Sequence, residues 1–309
     1  MEFRTIAIIA HVDHGKTTLV DGLLKQSGVF GEREKVPERV MDSNVQEKER
    51  GITIYTKNAS VRYKGTKINI LDTPGHQDFA EDTYRTLSAV DSVIIVIDSS
   101  KGIETQTEKL SNVCRIRNTP SIFFINKLDR EGQDPYNLLG ETEKKLNIRL
   151  FPMTWPIGMG NTFKGIYNIY NKSLNLFSGH EKQLIKDYVQ IKSVESDELD
   201  KHLGEQTANK LREDIEIICG IYPNFNRDEY LAGKVAPVFF GSALNNFGVN
   251  ELLNVFLELA PCPLPSQTIE RTVNPEESKF SGFVFKIHAN LHPQYRARIA
   301  FVKVCSGIF

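Results

Sequence analysis

The sequence predicts an α/β protein built on a doubly wound, mostly parallel sheet, with a smaller α+β lobe inserted and an antiparallel β segment at its C-terminal end. Three observations carry this. Short β-branched apolar runs alternate with amphipathic stretches of helical period, the pattern of βαβ units. Two of the runs, Ser92 to Ile97 and Ser121 to Ile125, are apolar on both faces, as strands buried in a parallel sheet must be. Every cluster of polar residues with evident chemistry follows the end of such a run, where a doubly wound sheet places its ligands.

The first unit is an apolar run, Ile6 to Ala10, then the loop His11, Val12, Asp13, His14, Gly15, Lys16, Thr17, Thr18, then an amphipathic continuation, Leu19 to Leu24. A loop ending Gly-Lys-Thr at a helix start suits a polyphosphate, because unpaired backbone N–H groups and the helix dipole face the anion. Gly15 lets the backbone approach, Lys16 reaches the β- and γ-phosphates, and the Thr17 hydroxyl ligates Mg²⁺. Ala10 stands where the general phosphate-loop pattern has its first glycine.

Gly31 to Gly51 is dense in Glu, Lys and Arg, contains Pro37, and reads as a mobile connection. It leads into Ile52-Thr53-Ile54. Thr53 has two readings: a strand residue, or a hydroxyl that completes the Mg²⁺ shell only when a γ-phosphate is present. Ala59 to Tyr63 and Lys67 to Leu71, separated by Lys64-Gly65-Thr66, read as a hairpin. Its second strand delivers Asp72, Thr73, Pro74, Gly75 and His76. Asp72 is placed to hold Mg²⁺ through water, and Gly75 to offer its N–H to the γ-phosphate. His76 is either a solvated turn residue or the group that positions an attacking water, the reading favoured by its neighbours.

Glu81 to Val90 and Thr105 to Arg117 are helical in pattern. The strand Ser121 to Ile125 ends in Asn126, Lys127, Leu128, Asp129. A carboxylate at Asp129 accepts both N1–H and N2–H₂ of guanine, a pair adenine does not offer. Asn126 ties loops together, and the Lys127 stem covers the base. The last part is a strand, Ala236 to Phe240, with the turn Gly241, Ser242, Ala243, Leu244, in which the Ala243 N–H is the expected donor to guanine O6. Together these motifs specify GTP or GDP with Mg²⁺.

Between Asn126 and Ser242 lies far more chain than one helix and one strand need, so a subdomain of roughly 100 residues, about 131–235, is expected there. Trp155 reads as its core anchor, and the charge run Glu195 to Lys201 as a solvated face. Val249 to Leu259 closes a nucleotide-binding domain, 1–262. The proline-rich stretch Pro261-Cys262-Pro263-Leu264-Pro265 leads into a stiff linker, 263–279. Phe280 to Ile287 and Ile299 to Val304 alternate like antiparallel strands, the start of a β-barrel domain, 280–309, that reads as truncated.

Composition bounds the rest. With 40% hydrophobic and 25% charged residues in 309, the chain is ordinary globular protein. A net charge of −1 gives no overall electrostatic reason to bind RNA or an anionic membrane, so composition neither supports nor excludes a ribosomal partner, and no DNA partner is expected. Cys114, Cys219, Cys262 and Cys305 lack zinc or disulfide spacing, the N-terminus enters a strand pattern at once, and no apolar run spans a bilayer. A cytoplasmic monomer is expected.

With all parts in view, the sequence resembles the translational GTPases. Glu81 to Leu87, Asn126 to Arg130, Trp155 to Gly158, and Pro237 to Ala243 with Asn246 to Val249 are similar to the third bacterial peptide-chain release factor family, over roughly residues 78–309. Ala10 to Thr18, Glu38 to Asn44 and Glu47 to Thr53 are more similar to the BipA ribosome-associated GTPases. The release factors carry Pro and Ala at the positions of Val12 and His14, and a longer first switch. The resemblance implies a ribosome-dependent GTPase that promotes departure of class-I release factors after peptide release. It further implies that His76 faces the ribosomal sarcin-ricin loop beside an apolar gate of Val12 and Ile52, and that a β-barrel and a third domain follow. A BipA-like or elongation-factor-G-like ribosomal GTPase, or a GTP-dependent switch with negligible hydrolysis of its own, is the alternative.

Overall fold

A computed structural model describes residues 2–28, 53, 55–177, 188–191, 193–222, 224–289 and 298–309. The expected mobile connection, 31–51, and the gate residue Ile52 lie outside the described residues.

The central sheet forms from β1 (Glu2–Ala10), β2 (Lys57–Tyr63), β3 (Thr66–Asp72), β4 (Ser92–Asp98), β5 (Ser121–Asn126), β6 (Arg149–Pro152) and, from farther along the chain, Val235–Phe240. Its order is β2, β3, β1, β4, β5, Val235–Phe240, β6, with only the β2–β3 pair antiparallel. The hairpin turns through Lys64 (φ 46°) and Gly65 (φ 79°), the two left-handed residues of a type I′ loop, which fixes the register Tyr63 to Thr66.

Alternation divides each buried strand between two cores. Ala7, Ile9, Val93, Ile95, Ile97, Phe123 and Ile125 face one side. Ile6, Ile8, Ala10, Ile94, Val96, Ile122 and Phe124 face the other. The second core is closed by α1 (Lys16–Gln26) through Leu19 and Leu23, and by a C-terminal helix, Val249–Leu259, through Leu252 and Phe256. The first is covered by α2 (Ala80–Leu87), α3 (Thr105–Ile116) and α4 (Pro135–Leu146), through Leu87, Leu110 and Leu138. Asp134 starts α4 by accepting hydrogen bonds from the Tyr136 and Asn137 amides, with Pro135 at the first helical position.

The segment expected to be wholly inserted is not so. Its first part, α4 and β6, belongs to the main layers: β6 pairs in parallel with Val235–Phe240 and extends the sheet. Only four residues long and ending in Pro152, β6 gives too short a periodic signal to read. The added lobe follows. It has an antiparallel sheet of β7 (Thr154–Ile157), β8 (Gly165–Asn168), β9 (Ser173–Leu176) and β10 (Tyr188–Gln190), then α5 (Asp197–Leu203), α6 (Glu205–Ile221) and α7 (Arg227–Leu231). It shares the first core. Trp155 is buried against the rings of Tyr136 and Phe240, at 4.7 and 5.6 Å between centroids, and donates Nε1–H to Asp214. The charge run includes α5, whose Asp200 pairs with Arg212 of α6.

The chain returns through β11 (Val235–Phe240) and α8 (Val249–Leu259). Where a stiff linker was expected, β12 (Ser266–Gln267) and β13 (Thr272–Val273) form a small antiparallel pair. Two long antiparallel strands follow, β14 (Ser281–Ala289) and β15 (Arg298–Ser306). They are held to the main layers by Lys286 on Asp82 (2.8 Å) and Lys303 on Asp91 (2.6 Å).

Candidate nucleotide site

The carboxyl ends of β1, β3, β5 and β11 surround a groove of about 310 Å³, beside the point where the chain winds to opposite sides of β1. His11, Val12, Asp13, Gly15, Lys16, Thr17 and Thr18 line it from the first loop, with Thr53, Gly75 and His76 at one end and Asn126, Lys127, Asp129 and Leu244 at the other. Arg130, which carried no assigned role in the sequence, also lines it.

At the phosphate end the side chains converge on one another. The buried Lys16 ammonium donates to Asp72, and lies 3.4 Å from the Thr17 and Thr53 hydroxyls. The two hydroxyls are 3.1 Å apart, and Thr17 donates to Asp72 Oδ2 at 3.4 Å. Thr17, Thr53 and Asp72, the three expected metal ligands, thus bring oxygen atoms to one place, the donor type that Mg²⁺ takes. The Gly75 turn lies directly against the phosphate loop. A Cβ at Gly75 would stand 3.2 Å from the Ala10 carbonyl oxygen and 3.4 Å from the Val12 nitrogen. The His76 side chain is 39% exposed, and its Nδ1 lies 3.3 Å from the Asp78 amide and 3.4 Å from the Asp78 carboxylate.

The base end is arranged differently. Asn126 is buried, donating from Nδ2 to the His14 carbonyl (2.9 Å) and accepting the Ala243 amide on Oδ1 (2.8 Å). It ties the phosphate loop to the turn after β11, as its place in the sequence suggested. Gly15, at φ 90°, is required here because a Cβ would collide with Asn126 Nδ2. The Lys127 ammonium bridges the Asp13 carbonyl (2.5 Å) and Asp98 (2.6 Å). Burial raises the Asp98 carboxyl, but Lys127 and the hydroxyl and amide of Ser100 outweigh it and hold the group at about 2. The Asp129 side chain is 8% exposed, and no donor among the described residues reaches its buried Oδ1. Asp129 lines the groove, and an unpaired buried carboxylate oxygen is costly unless a ligand supplies the donor.

Several expected site residues turn their side chains or amides toward other partners. The His14 side chain is fully buried beneath the loop, with Nε2 2.6 Å from Glu104 and Nδ1 3.2 Å from the Asp98 amide. Burial pulls its pKa down, an effect partly offset by Glu104. Thr73 turns away to donate to the Ile8 carbonyl, the Pro74 carbonyl accepts from Thr83, and Leu128 is core. Ser242 is buried in a bridge with Phe247 and accepts Asn245. The Ala243 N–H, expected to meet guanine O6, already donates to Asn126. Glu104 and Asp98 were missed as site-builders. The available signal was an acidic residue at each end of the β4–α3 connection.

A mostly parallel doubly wound sheet with this groove at its carboxyl edge defines a phosphate-loop nucleotide-binding protein. The family model for the elongation factor Tu GTP-binding domain matches residues 1–262, and the chain belongs to that family of GTPases. A crystal structure of a protein from Thermus thermophilus has the same fold, with a TM-score of 0.75 over 99% of this chain at 22% identity. The present chain spans 46% of that one. No helix among the described residues is long and apolar enough to cross a membrane.

Proposed function

We propose that the chain is the nucleotide-binding portion of a ribosome-dependent translation factor of the release-factor-three type. Binding and hydrolysis of GTP would promote departure of class-I release factors from the ribosome after peptide release, in the cytoplasm. The observation that carries the nucleotide part is the unpartnered Asp129 Oδ1 at one end of a groove whose other end gathers Lys16, Thr17, Thr53 and Asp72. Asp129 would take the guanine N1–H and N2–H₂, Lys16 the phosphates, and Thr17, Thr53 and Asp72 a magnesium ion. When bound, such an ion would supply positive charge against the phosphate oxygens. His76, on the rim and half-exposed, is free to orient a water toward the γ-phosphate and to meet the sarcin-ricin loop of a partner ribosome. The release-factor role is supported by the likeness of residues 78–309, and the BipA-like alternative by Val12 and His14.

GTP turnover separates these readings when measured with vacant ribosomes and with ribosomes carrying a class-I release factor. Selective dependence on the factor-bound ribosome is expected. Equal stimulation by vacant ribosomes would favour the BipA-like or elongation-factor-G-like role, and tight GTP binding without turnover on either would favour a pure switch.

A further inference from the structure

The β4–α3 connection, Asp98 to Glu104, carries none of the nucleotide motifs, yet its two ends grip the cradle. We propose that Glu104 is a positioning residue for the phosphate loop, acting through His14. The inference rests on the nucleotide-binding reading above.

His14 precedes Gly15 in a stretch with two left-handed residues, Asp13 (φ 65°) and Gly15 (φ 90°). Such a backbone needs outside support to hold its N–H groups in one arrangement. That support meets at His14. Its Nε2–H donates to Glu104 Oε2 (2.6 Å), its Nδ1 accepts the Asp98 amide (3.2 Å), and its carbonyl accepts Asn126 (2.9 Å). Nδ1 also lies 3.3 Å from the Val96 carbonyl, so both ring nitrogens are engaged by fixed groups. The other Glu104 oxygen lies 3.6 Å from His11 Nε2, so one carboxylate reaches two residues of the loop. Glu104 is not among the described residues that line the groove, and its contacts with the loop are with His11 and His14. It acts by holding the loop while Asn126, on the far side of His14, holds the guanine-recognising turn.

The test titrates GDP and inosine diphosphate, which lacks the 2-amino group, into the whole chain and its variants. Glu104→Ala is expected to weaken both nucleotides about tenfold, the size of one lost hydrogen bond to a charged group, with their affinity ratio unchanged because Asp129 is untouched. Glu104→Gln, which keeps an acceptor for His14 Nε2–H, is expected within about threefold of wild type. Glu104→Asp withdraws the carboxylate by one methylene and repeats the alanine result should Glu104→Ala fail to fold. Unchanged affinity in Glu104→Ala or Glu104→Asp overturns the proposal. So does a collapsed GDP-to-inosine-diphosphate ratio, which would mean general loosening, or a Gln variant as impaired as Ala. Failure of the wild-type chain to bind GDP overturns the functional reading, and this inference with it.

Discussion

The two ends of the groove differ in what their polar groups already touch. At the phosphate end Lys16, Asp72, Thr17 and Thr53 satisfy one another, so phosphates and a metal ion would have to take these pairs apart. At the base end Lys127 and Asn126 are fixed by Asp98, Asp13, His14 and Ala243, while Asp129 keeps one buried acceptor open. On the proposed function, the base end is therefore preorganised, and the phosphate end must exchange partners when nucleotide binds. Discrimination between bases needs a fixed frame, since an acceptor that could move would find another donor. Sensing of the γ-phosphate needs partners that can change.

The largest effect that could break this contrast belongs to the base end. Asp129→Asn turns two acceptors into one acceptor and one donor, and should exchange guanine for xanthine preference by about 10³- to 10⁴-fold. Competition between GDP and xanthosine diphosphate measures it, and retained guanine preference would contradict a fixed frame. Next, His76→Ala should leave GDP affinity near wild type while ribosome-stimulated turnover falls by about 10²- to 10⁴-fold. Unchanged single-turnover hydrolysis would remove His76 from the reaction.

At the phosphate end, Lys16→Met should weaken GDP about 100-fold. It should also lower stability by about 3 kcal/mol, because the fully buried Asp72 loses its cation. Parallel calorimetry and denaturant titration would show both losses. The smallest effect concerns the frame's anchor. Asp98 has a folded-state pKa of about 2, below its ordinary 3.8. A lowered carboxyl contributes stability that is whole above the unfolded value and is lost as pH falls from about 4 toward 2. Wild type should lose about 2 kcal/mol over that window that Asp98→Asn lacks at every pH. Equal slopes in urea titrations would show that Lys127 is not held by charge.

This contrast was half legible in the sequence. Motif residues within one loop, such as Gly15-Lys16-Thr17, announce themselves because the chemistry is local. The strands β1, β4 and β5 were legible because burial on both faces leaves a continuous apolar run. What was hidden depends on contacts across the chain. His14 sits close to Lys16 in sequence and yet points into the core, because Glu104, ninety positions away, takes its imidazole. Position alone points the Ala243 amide at the base; that Asn126 accepts it shows only in the fold. β6 was folded into the added lobe because only its pairing with β11 reveals that it belongs to the main sheet. Lys286 and Lys303 likewise show their partners, Asp82 and Asp91, only once β14 and β15 are placed.

The central claim is that Asp129 is an open, fixed acceptor for guanine. Isothermal titration of wild type and Asp129→Ala with GDP and inosine diphosphate tests it most directly. Loss of one donor to a buried carboxylate should make inosine diphosphate weaker than GDP by about 10- to 100-fold in wild type, and the difference should vanish in Asp129→Ala. Equal affinities in wild type, or a difference that survives Asp129→Ala, would contradict it.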